Sequence, residues 1–482
     1  MFKLFTAFRF RPGFFLAAIL LAMGMMNLSA RAAEKSRKPN FIIIFCDDLG
    51  YNDVGPFGST KHRTPNIDQL AKEGRKFTNF YVTSGVCSPS RASLMTGCYP
   101  KRVGLHENEK GGWVLFPGNK RGLNPSEITI AEVLKGNGYK TACIGKWHLG
   151  DQPVFLPTRQ GFDEYFGIPF SNDMGQTARR RKFYPKLPLM RNEKVIETEP
   201  DQRYLTQRYT KEAIQFITKN KDKPFFLYLP HTMPHWPQFA SENFAGKSAN
   251  GKWGDAVEEI DWSTGEIMKT LKSLGIDENT VVCFLSDNGG ATRHGASNKP
   301  LRGGKGSTWE GGHRVPFIIR YPKTIPAGSV CHELATSMDL MPTFAKMSGT
   351  SAPTDRIIDG KNIQSLFLAK KNAKTPYEAY YYYFRGQLQA VRSGDWKLFV
   401  AQRNVRRKKG KKVLPRKFEP TLYNLKSDIG ESNNIAKDHP DVVKRLLALA
   451  EKAREDLGDG NRPGANTRKP GHVENAKPLT MK

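Results

Sequence analysis

Cysteine is scarce, six in 482 residues, which excludes a small domain stapled by disulfides. Acidic residues are the minority, 46 Asp and Glu against 75 Lys and Arg, so the formal net charge is +29. Beyond the first thirty or so residues no apolar stretch approaches the ~20 residues that a membrane-spanning helix needs. No internal repeat and no nucleic-acid reading motif is found, and export and that missing motif argue against a nucleic-acid partner. What is present is a hydrophobic fraction of 38% with 11% aromatic residues, enough for a sizeable core and too much for a disordered tail. The basic surface attracts polyanions, whether nucleic acid, anionic lipid, or a sulfated or phosphorylated glycan, and charge alone does not choose among them.

At the amino end Lys3, Arg9 and Arg11 precede an apolar stretch from Phe14 to Leu28, followed by Ala30-Arg31-Ala32. This pattern predicts a signal peptide over 1–32 and an exported protein, periplasmic or secreted, with no stable membrane insertion after cleavage. Export would permit disulfides, yet Cys46, Cys143 and Cys283 lie in apolar strand-like runs and read as buried thiols.

Four apolar runs, Phe41 to Phe45, Tyr139 to Ile144, Pro224 to Leu229 and Thr280 to Leu285, each end in a polar cluster and read as buried strands. Helical spacing links them: Val257, Ile260, Thr264, Ile267, Leu271 and Leu274 stop at Gly275, and a second helix is expected from Asn124, with Pro125 at its first position, through Ile130, Val133 and Leu134. The expectation is an α/β fold over 33–370, a large and mostly parallel sheet sandwiched by helices, with its ligand beyond the carboxyl ends of the strands. From 371 to 460 short strands at Ala379–Phe384, Gln389–Val391, Trp396–Val400 and Thr421–Leu425, then a helix from Asp441 to about Glu455, predict a smaller antiparallel sheet-plus-helix domain. Residues 461–482, rich in Gly, Pro, Asn and Lys, read as a disordered tail. The most basic stretch, Arg403 to Lys417, reads as a solvated hairpin or a polyanion contact.

The chemistry lies in the polar clusters. Asp47-Asp48 closes the first strand and Asp287-Asn288 the last, and paired oxygen ligands at equivalent strand ends point to a hard cation. In Cys87-Ser88-Pro89-Ser90-Arg91, Ser88 reads as an N-cap and Pro89 as the first helical residue, so Cys87 sits at a helix amino terminus with Arg91 able to support an anion there. Lys146 and His148 share another strand end, His231 and His235 a third, and Lys305 stands in the Gly-rich loop 302–312. Cations, histidines, a metal site and a helix terminus together fit hydrolysis of a sulfate or phosphate ester.

Cys87-Ser88-Pro89-Ser90-Arg91, continued by Ala92-Ser93-Leu94-Met95-Thr96-Gly97, matches C-x-P-x-R, and the chain resembles the type I sulfatases of the alkaline phosphatase superfamily from Pro39 to Leu425. Phe155 to Asp163 and Gly167 to Met174 resemble the arylsulfatase A and N-acetylgalactosamine-6-sulfatase branch. The resemblance implies an alkaline phosphatase-like fold and a cysteine, Cys87, oxidised to formylglycine by a formylglycine-generating maturation enzyme. It implies calcium held by Asp47, Asp48, Asp287, Asn288 and the modified Cys87. One hydroxyl of the aldehyde hydrate would attack sulfur, and the second would lose its proton and expel sulfate. Arg91 and Lys146 would offset charge, Lys305 would reach a sulfate oxygen, and His148 would orient the hydrate or take its proton. His235 is similar to the proton donor for the leaving oxygen, with His231 the competing candidate, and Ser171 stands where the branch helps hold sulfate. A sulfated carbohydrate is the expected substrate, because +29 steers a polyanion better than a small aryl ester.

Two rivals remain at this point: a phosphonate monoester or phosphodiester hydrolase of the same superfamily, and a non-catalytic polyanion-binding protein. If Arg179, Arg180, Arg181 and Lys182 line the cleft mouth, replacing all four with Ser lowers kcat/KM on a sulfated oligosaccharide much more than on an aryl sulfate. Equal losses on both substrates would refute that role.

Overall fold

Along the run Asn40–Cys46 apolar side chains point alternately to two sides and all are buried, the pattern of a strand covered on both faces. In the computed structural model, which describes residues 1–2, 38–178, 182–401, 407–408, 411–412 and 418–481, this run is β1. With β2 (Arg75–Phe77), β3 (Lys140–Ile144), β4 (Glu164–Gly167), β5 (Pro188–Arg191), β6 (Lys194–Thr198), β7 (Phe225–Pro230), β8 (Thr280–Ser286), β9 (Phe317–Arg320) and β10 (Ser329–Cys331) it forms one sheet. The strand order is β10-β2-β9-β8-β1-β7-β3-β4-β5-β6. The four strands expected from sequence are the adjacent block β8-β1-β7-β3, all parallel, with Cys46 beside Ser286 and Phe45 beside Pro230. That register brings four carboxyl ends to one edge. Antiparallel pairings enter only toward the sides, at β8–β9, β9–β2, β4–β5 and β5–β6.

One face of the sheet, through Phe41, Ile43 and Phe45, packs on α2 (Cys87–Thr96), α3 (Ile130–Gly136) and α6 (Leu340–Met347). The other, through Ile42, Ile44 and Cys46, packs on α1 (Pro65–Glu73), α4 (Leu205–Lys219) and α5 (Gly251–Ser273). Each such Ile or Phe contributes about 1.5–3 kcal/mol by leaving water. All six cysteines are buried and free.

Helix α5 buries Val257, Ile260, Thr264, Ile267 and Leu271, and ends before Gly275, whose φ of 66° is left-handed. Helix α3 corrects the sequence expectation: it starts at Ile130 rather than near Asn124. Thr129 and Glu132 close a reciprocal cap, whereas Asn124–Glu127 is a turn in which Glu127 N–H donates to the Asn124 carbonyl at 2.9 Å. Helix α2 likewise starts at Cys87, with Val86 as N-cap. The Ser88 hydroxyl, expected to cap it, instead accepts from the Leu115 N–H at 3.1 Å.

The smaller sheet is β11 (Tyr380–Phe384), β12 (Gln387–Ser393), β13 (Trp396–Phe399) and β14 (Thr421–Asn424), antiparallel in that order, packed on α7 (Pro440–Leu457). From Pro39 onward the chain is one compact unit. Tyr380 and Tyr382 cluster with Tyr81, Tyr99 and Met338 of the larger part. Beneath them is a buried charge cluster: Lys397 Nζ lies 3.0 Å from Glu310 Oε1 and 2.7 Å from Glu431 Oε1, and donates to the Thr308 carbonyl at 2.8 Å. Burial pushes the Glu431 carboxyl up to about 7 against the pull of Lys397. Although burial opposes it, the cations Lys397, Arg392 and Arg314 hold Glu310 well below the usual carboxylate range.

Residues 461–481 correct a second expectation, since they are not a disordered tail. Gly471–His472 pairs with Arg121–Gly122, Arg468 meets Glu127 at 2.7 Å, and Lys477 N–H donates to Gln152 at 2.9 Å. Its glycine content serves close packing: a Cβ at Gly471 would lie 2.5 Å from the Phe155 ring. The expected signal peptide lies outside the described residues from 3 to 32, as do Arg179, Arg180 and Arg181. Of Arg403–Lys417 only the paired segments Arg407–Lys408 and Lys411–Lys412 lie inside. Among the described residues no helix is long and apolar enough to cross a membrane.

Lys397→Met keeps the aliphatic volume and leaves Glu310 and Glu431 facing each other without their shared cation. Urea unfolding should show a loss of about 3–5 kcal/mol; a loss below ~1 kcal/mol would contradict the tie described.

Candidate active site

Parallel strands leave their polar ends side by side, and here Asp47-Asp48 after β1 and Asp287-Asn288 after β8 are all buried. Three carboxylates so close demand cations, which come from three other segments. Arg91, on the first turns of α2, donates from Nε and Nη2 to Asp287 Oδ2 at 3.1 and 2.8 Å, and from Nη1 to the Lys146 carbonyl at 2.8 Å. Lys146, beyond β3, donates from Nζ to Asp47 Oδ2 and to Ser171 Oγ, the latter at 3.2 Å. Lys305 Nζ donates to Asp48 Oδ2 at 2.7 Å. Arg91 thus serves the carboxylates rather than standing free for an anion, as the sequence reading allowed. Lys305, with a quarter of its side chain exposed, is the cation that faces outward.

Burial alone would raise Asp47, but Lys146, His235 and Arg91 hold it well below the usual carboxylate range. Burial and the neighbouring Asp47 raise Asp287 to about 7, and burial raises Asp48 against Lys305. Burial, then Asp47, pushes the Cys87 thiol above its usual range; the residue is 2% exposed, with Sγ 3.4 Å from Asp47 Oδ1.

The histidines differ. His235 Nε2 lies 3.6 Å from Asp48 Oδ2, and its Nδ1 bonds Asn172 Oδ1 at 2.9 Å. His148, at a left-handed φ of 62°, bonds the Leu115 carbonyl through Nε2 at 2.9 Å, and its buried Nδ1 has no partner among the described residues. Burial lowers both below the ordinary histidine range, with Lys305 next for His235 and Lys146 next for His148. His231 lies apart, fully buried with Nε2 3.4 Å from Ser263 Oγ of α5.

One ligand atom each from Asp47, Asp48, Cys87 and His235 lies within 4.8 Å of the others. Asn288 Nδ2 donates to Asp48 Oδ1 at 2.9 Å while its buried Oδ1 has no hydrogen-bond partner among the described residues, the kind of acceptor a cation satisfies. Carboxylate and amide oxygens suit a hard divalent ion, Ca²⁺ or Mg²⁺. The Lys305 loop is fastened to this end: Lys305 N–H donates to the Gly290 carbonyl at 3.1 Å and Gly306 N–H to the Gly85 carbonyl at 2.7 Å. Gly289 is required here, because a Cβ would lie 1.7 Å from the Gly311 carbonyl oxygen.

The structure therefore brings Asp47, Asp48, Cys87, Arg91, Lys146, His148, Ser171, His235, Asp287, Asn288 and Lys305 into one connected set. Sequence reasoning gave no role to Asn172 or Leu115. Asn172 Nδ2 donates to Gln202 Oε1 at 3.0 Å and to the Pro237 carbonyl at 3.1 Å, which fixes its oxygen toward His235. Leu115 acts through its backbone, holding Ser88 and His148 at once. The position of Asn172, directly after Ser171, was the available signal for the first; an apolar residue used by its backbone leaves none.

The family model "Sulfatase" matches residues 39–350, and "N-sulphoglucosamine sulphohydrolase, C-terminal" matches residues 304–456. Human arylsulfatase A is 37% identical over 86% of this chain and 87% of its own length. The N-acetylgalactosamine-6-sulfatase of Canis lupus familiaris is 38% identical over 79% of this chain and 74% of its own. The solved structure of Ps i-CgsB in complex with k-i-k-neocarrahexaose superposes with a TM-score of 0.73 at 34% identity, covering 86% of this chain and 92% of that one. The family model and these relatives place the chain in the sulfatase family, as a sulfuric ester hydrolase of the arylsulfatase A and N-acetylgalactosamine-6-sulfatase branch.

Proposed function

We propose that the protein is exported and hydrolyses a sulfate ester on a sulfated glycan, using formylglycine formed from Cys87 and a calcium ion. The observation that carries this reading is the gathering of Asp47 and Asp48 around buried Cys87 at the carboxyl edge of the sheet, beside an Asn288 oxygen that has no hydrogen-bond partner among the described residues. Asp47, Asp48, Asp287, Asn288 and the modified residue 87 would hold the ion. Formylglycine supplies, as its hydrate, a hydroxyl nucleophile and a second hydroxyl for release, and calcium supplies charge to a sulfate oxygen.

The chain's own residues do the rest. Arg91 and Lys146 balance the carboxylates that gather around position 87. Lys305, between Asp48 and the outside, binds a sulfate oxygen, with Ser171 beside Lys146 as a further contact. His148 takes a proton at Nδ1, because the Leu115 carbonyl occupies Nε2. His235 gives a proton from Nε2 to the leaving oxygen, its ring held through Nδ1 by Asn172. His231, packed on Ser263, has no part in this scheme. A glycan substrate accords with the net charge of +29 and with similar proteins named N-acetylgalactosamine-6-sulfatase or solved in complex with k-i-k-neocarrahexaose.

The decisive measurement is sulfate against phosphate release from matched aryl esters and from carrageenan and chondroitin oligosaccharides, by protein co-expressed with a formylglycine-generating enzyme. Sulfate release should dominate, disappear on chelation and return with calcium; preferential phosphate release would favour a phosphoester hydrolase. The Cys87 peptide should be lighter than its thiol form and carry an aldehyde, and Cys87→Ala should abolish turnover. A peptide that iodoacetamide alkylates in fully active protein would refute the maturation.

His235→Ala should lower kcat on poor leaving groups by on the order of 10²–10⁴-fold and on good ones far less. Asn172→Ala should show the same dependence at roughly 10–100-fold. A uniform loss across leaving groups would remove the acid role from His235.

A further inference from the structure

His148 is held in a backbone conformation that only its surroundings maintain. Its φ of 62° is left-handed, which a residue with a Cβ adopts only at a cost. Four ties fix the turn that carries it. Trp147 N–H donates to the Ile168 carbonyl at 3.0 Å, His148 N–H to the Pro169 carbonyl at 3.1 Å, and Leu123 N–H to the Leu149 carbonyl at 2.8 Å, while the imidazole meets the Leu115 carbonyl through Nε2 at 2.9 Å. Two of the four come from one stretch of chain, 115–123. Within it Phe116 N–H donates to Asn119 Oδ1 at 2.6 Å and Gly118 N–H to Asp151 Oδ2 at 2.7 Å, so Leu115 and Leu123 move together.

That stretch is clamped from outside by the carboxyl-terminal segment 468–477. At one end Arg468 meets Glu127 at 2.7 Å, Arg468 N–H donates to the Arg102 carbonyl at 2.6 Å, and the Lys469 carbonyl accepts from Asn124 Nδ2 at 3.0 Å. At the other, Lys477 and Gln152 exchange two hydrogen bonds, at 2.9 and 3.0 Å, and Leu479 packs on the core. Between these anchors Gly471–His472 pairs with Arg121–Gly122, and Val473 N–H donates to the Lys120 carbonyl at 3.0 Å. Phe155, 1% exposed, fills the space beneath: a Cβ at Gly471, Gly122 or Gly150 would lie 2.5, 2.3 or 2.9 Å from its ring, and its carbonyl accepts from Trp147 Nε1 at 2.8 Å. One aromatic ring thus joins the carboxyl-terminal segment, the 120–123 strip and the His148 turn, with no room for any of the three to shift alone.

We propose that the segment 468–477 is a positioning element for the reaction, which keeps His148 in its left-handed conformation by pressing Phe155 and the 120–123 strip onto the turn that carries it. None of its residues belongs to the connected set around Cys87. The inference rests on the reading of His148 as a proton acceptor and adds that its aim is set from the far end of the chain.

Two substitutions in the full-length protein loosen the clamp: Gly471→Ala, whose Cβ meets the Phe155 ring, and Val473→Pro, which removes the donor to Lys120. Val473 is only partly buried, so its variant serves if Gly471→Ala fails to fold. In the matured enzyme each should lower kcat roughly 10–100-fold, equally on good and poor leaving groups, with KM within about twofold of the parent. A general loss of stability acts by the same factor in any background, whereas positioning predicts that in a His148→Ala background either substitution changes kcat by less than about twofold. Equal factors with and without His148, or kcat within about twofold of the parent in both single variants, would overturn the proposal. A His148→Ala loss below about twofold would remove the proton acceptor and the proposal with it. Hydrogen exchange read by mass spectrometry needs no turnover: amides of 145–150 should exchange faster in both variants while those of α5 hold, and unchanged exchange at 145–150 would also refute the clamp. Wild-type protein that releases no sulfate from any ester, with exchange at 145–150 raised in both variants, would sink the catalytic reading of His148 and leave the clamp standing.

Discussion

The balance between three buried carboxylates and three cations, two buried and one facing outward, governs this molecule. Asp47, Asp48 and Asp287 are placed by strand register, because β1 and β8 run parallel and end level. Their partners come from elsewhere: Arg91 from α2, Lys146 from the end of β3, and Lys305 from the Gly-rich loop. A buried ion pair of this kind is a poor source of net stability, since desolvation offsets most of the attraction. Its effect is to tie segments together, since displacing any one of them would strand a charge in the interior. The same balance explains why the amino-terminal turn of α2, where Cys87 lies, is so fully enclosed.

The smaller sheet takes part in this arrangement. Lys397 on β13 reaches Glu310 at the end of the Lys305 loop, and Glu431 accepts the Glu310 N–H at 2.8 Å. Tyr382 donates to the Glu310 carboxylate at 2.7 Å. The loop that offers the outward-facing cation is therefore fastened at one end to the carboxyl edge of the central sheet and at the other to the smaller sheet.

Much of this was legible in the sequence because it depends on local pattern. Buried parallel strands write themselves as apolar runs, and the polar clusters that end them, Asp47-Asp48 and Asp287-Asn288 among them, carry the site. The periodicity of α5 and its Gly275 stop were equally plain. Errors arose where two local signals competed: Pro125 offered a helix start that the Thr129–Glu132 cap supersedes, and Ser88 looked like a cap while bonding across to Leu115. Composition misread the final residues, because glycine and proline there answer close contact with Phe155 and Gly104. Arg91 could be recognised as important without its role, since nothing local says that its partner lies 196 residues away. Asn172 acts on a histidine 63 residues on, and only the folded chain shows which way its amide points.

The sequence separations carry a consequence for synthesis. The contacts that complete the site span 196 to 257 residues, Arg91 to Asp287 and Lys305 to Asp48, and the fastening of the Lys305 loop waits for Lys397 and Glu431. A nascent chain can therefore emerge with every strand of the central sheet already made and still lack a fixed Lys305. The catalytic centre can close only after these distant segments have all been made.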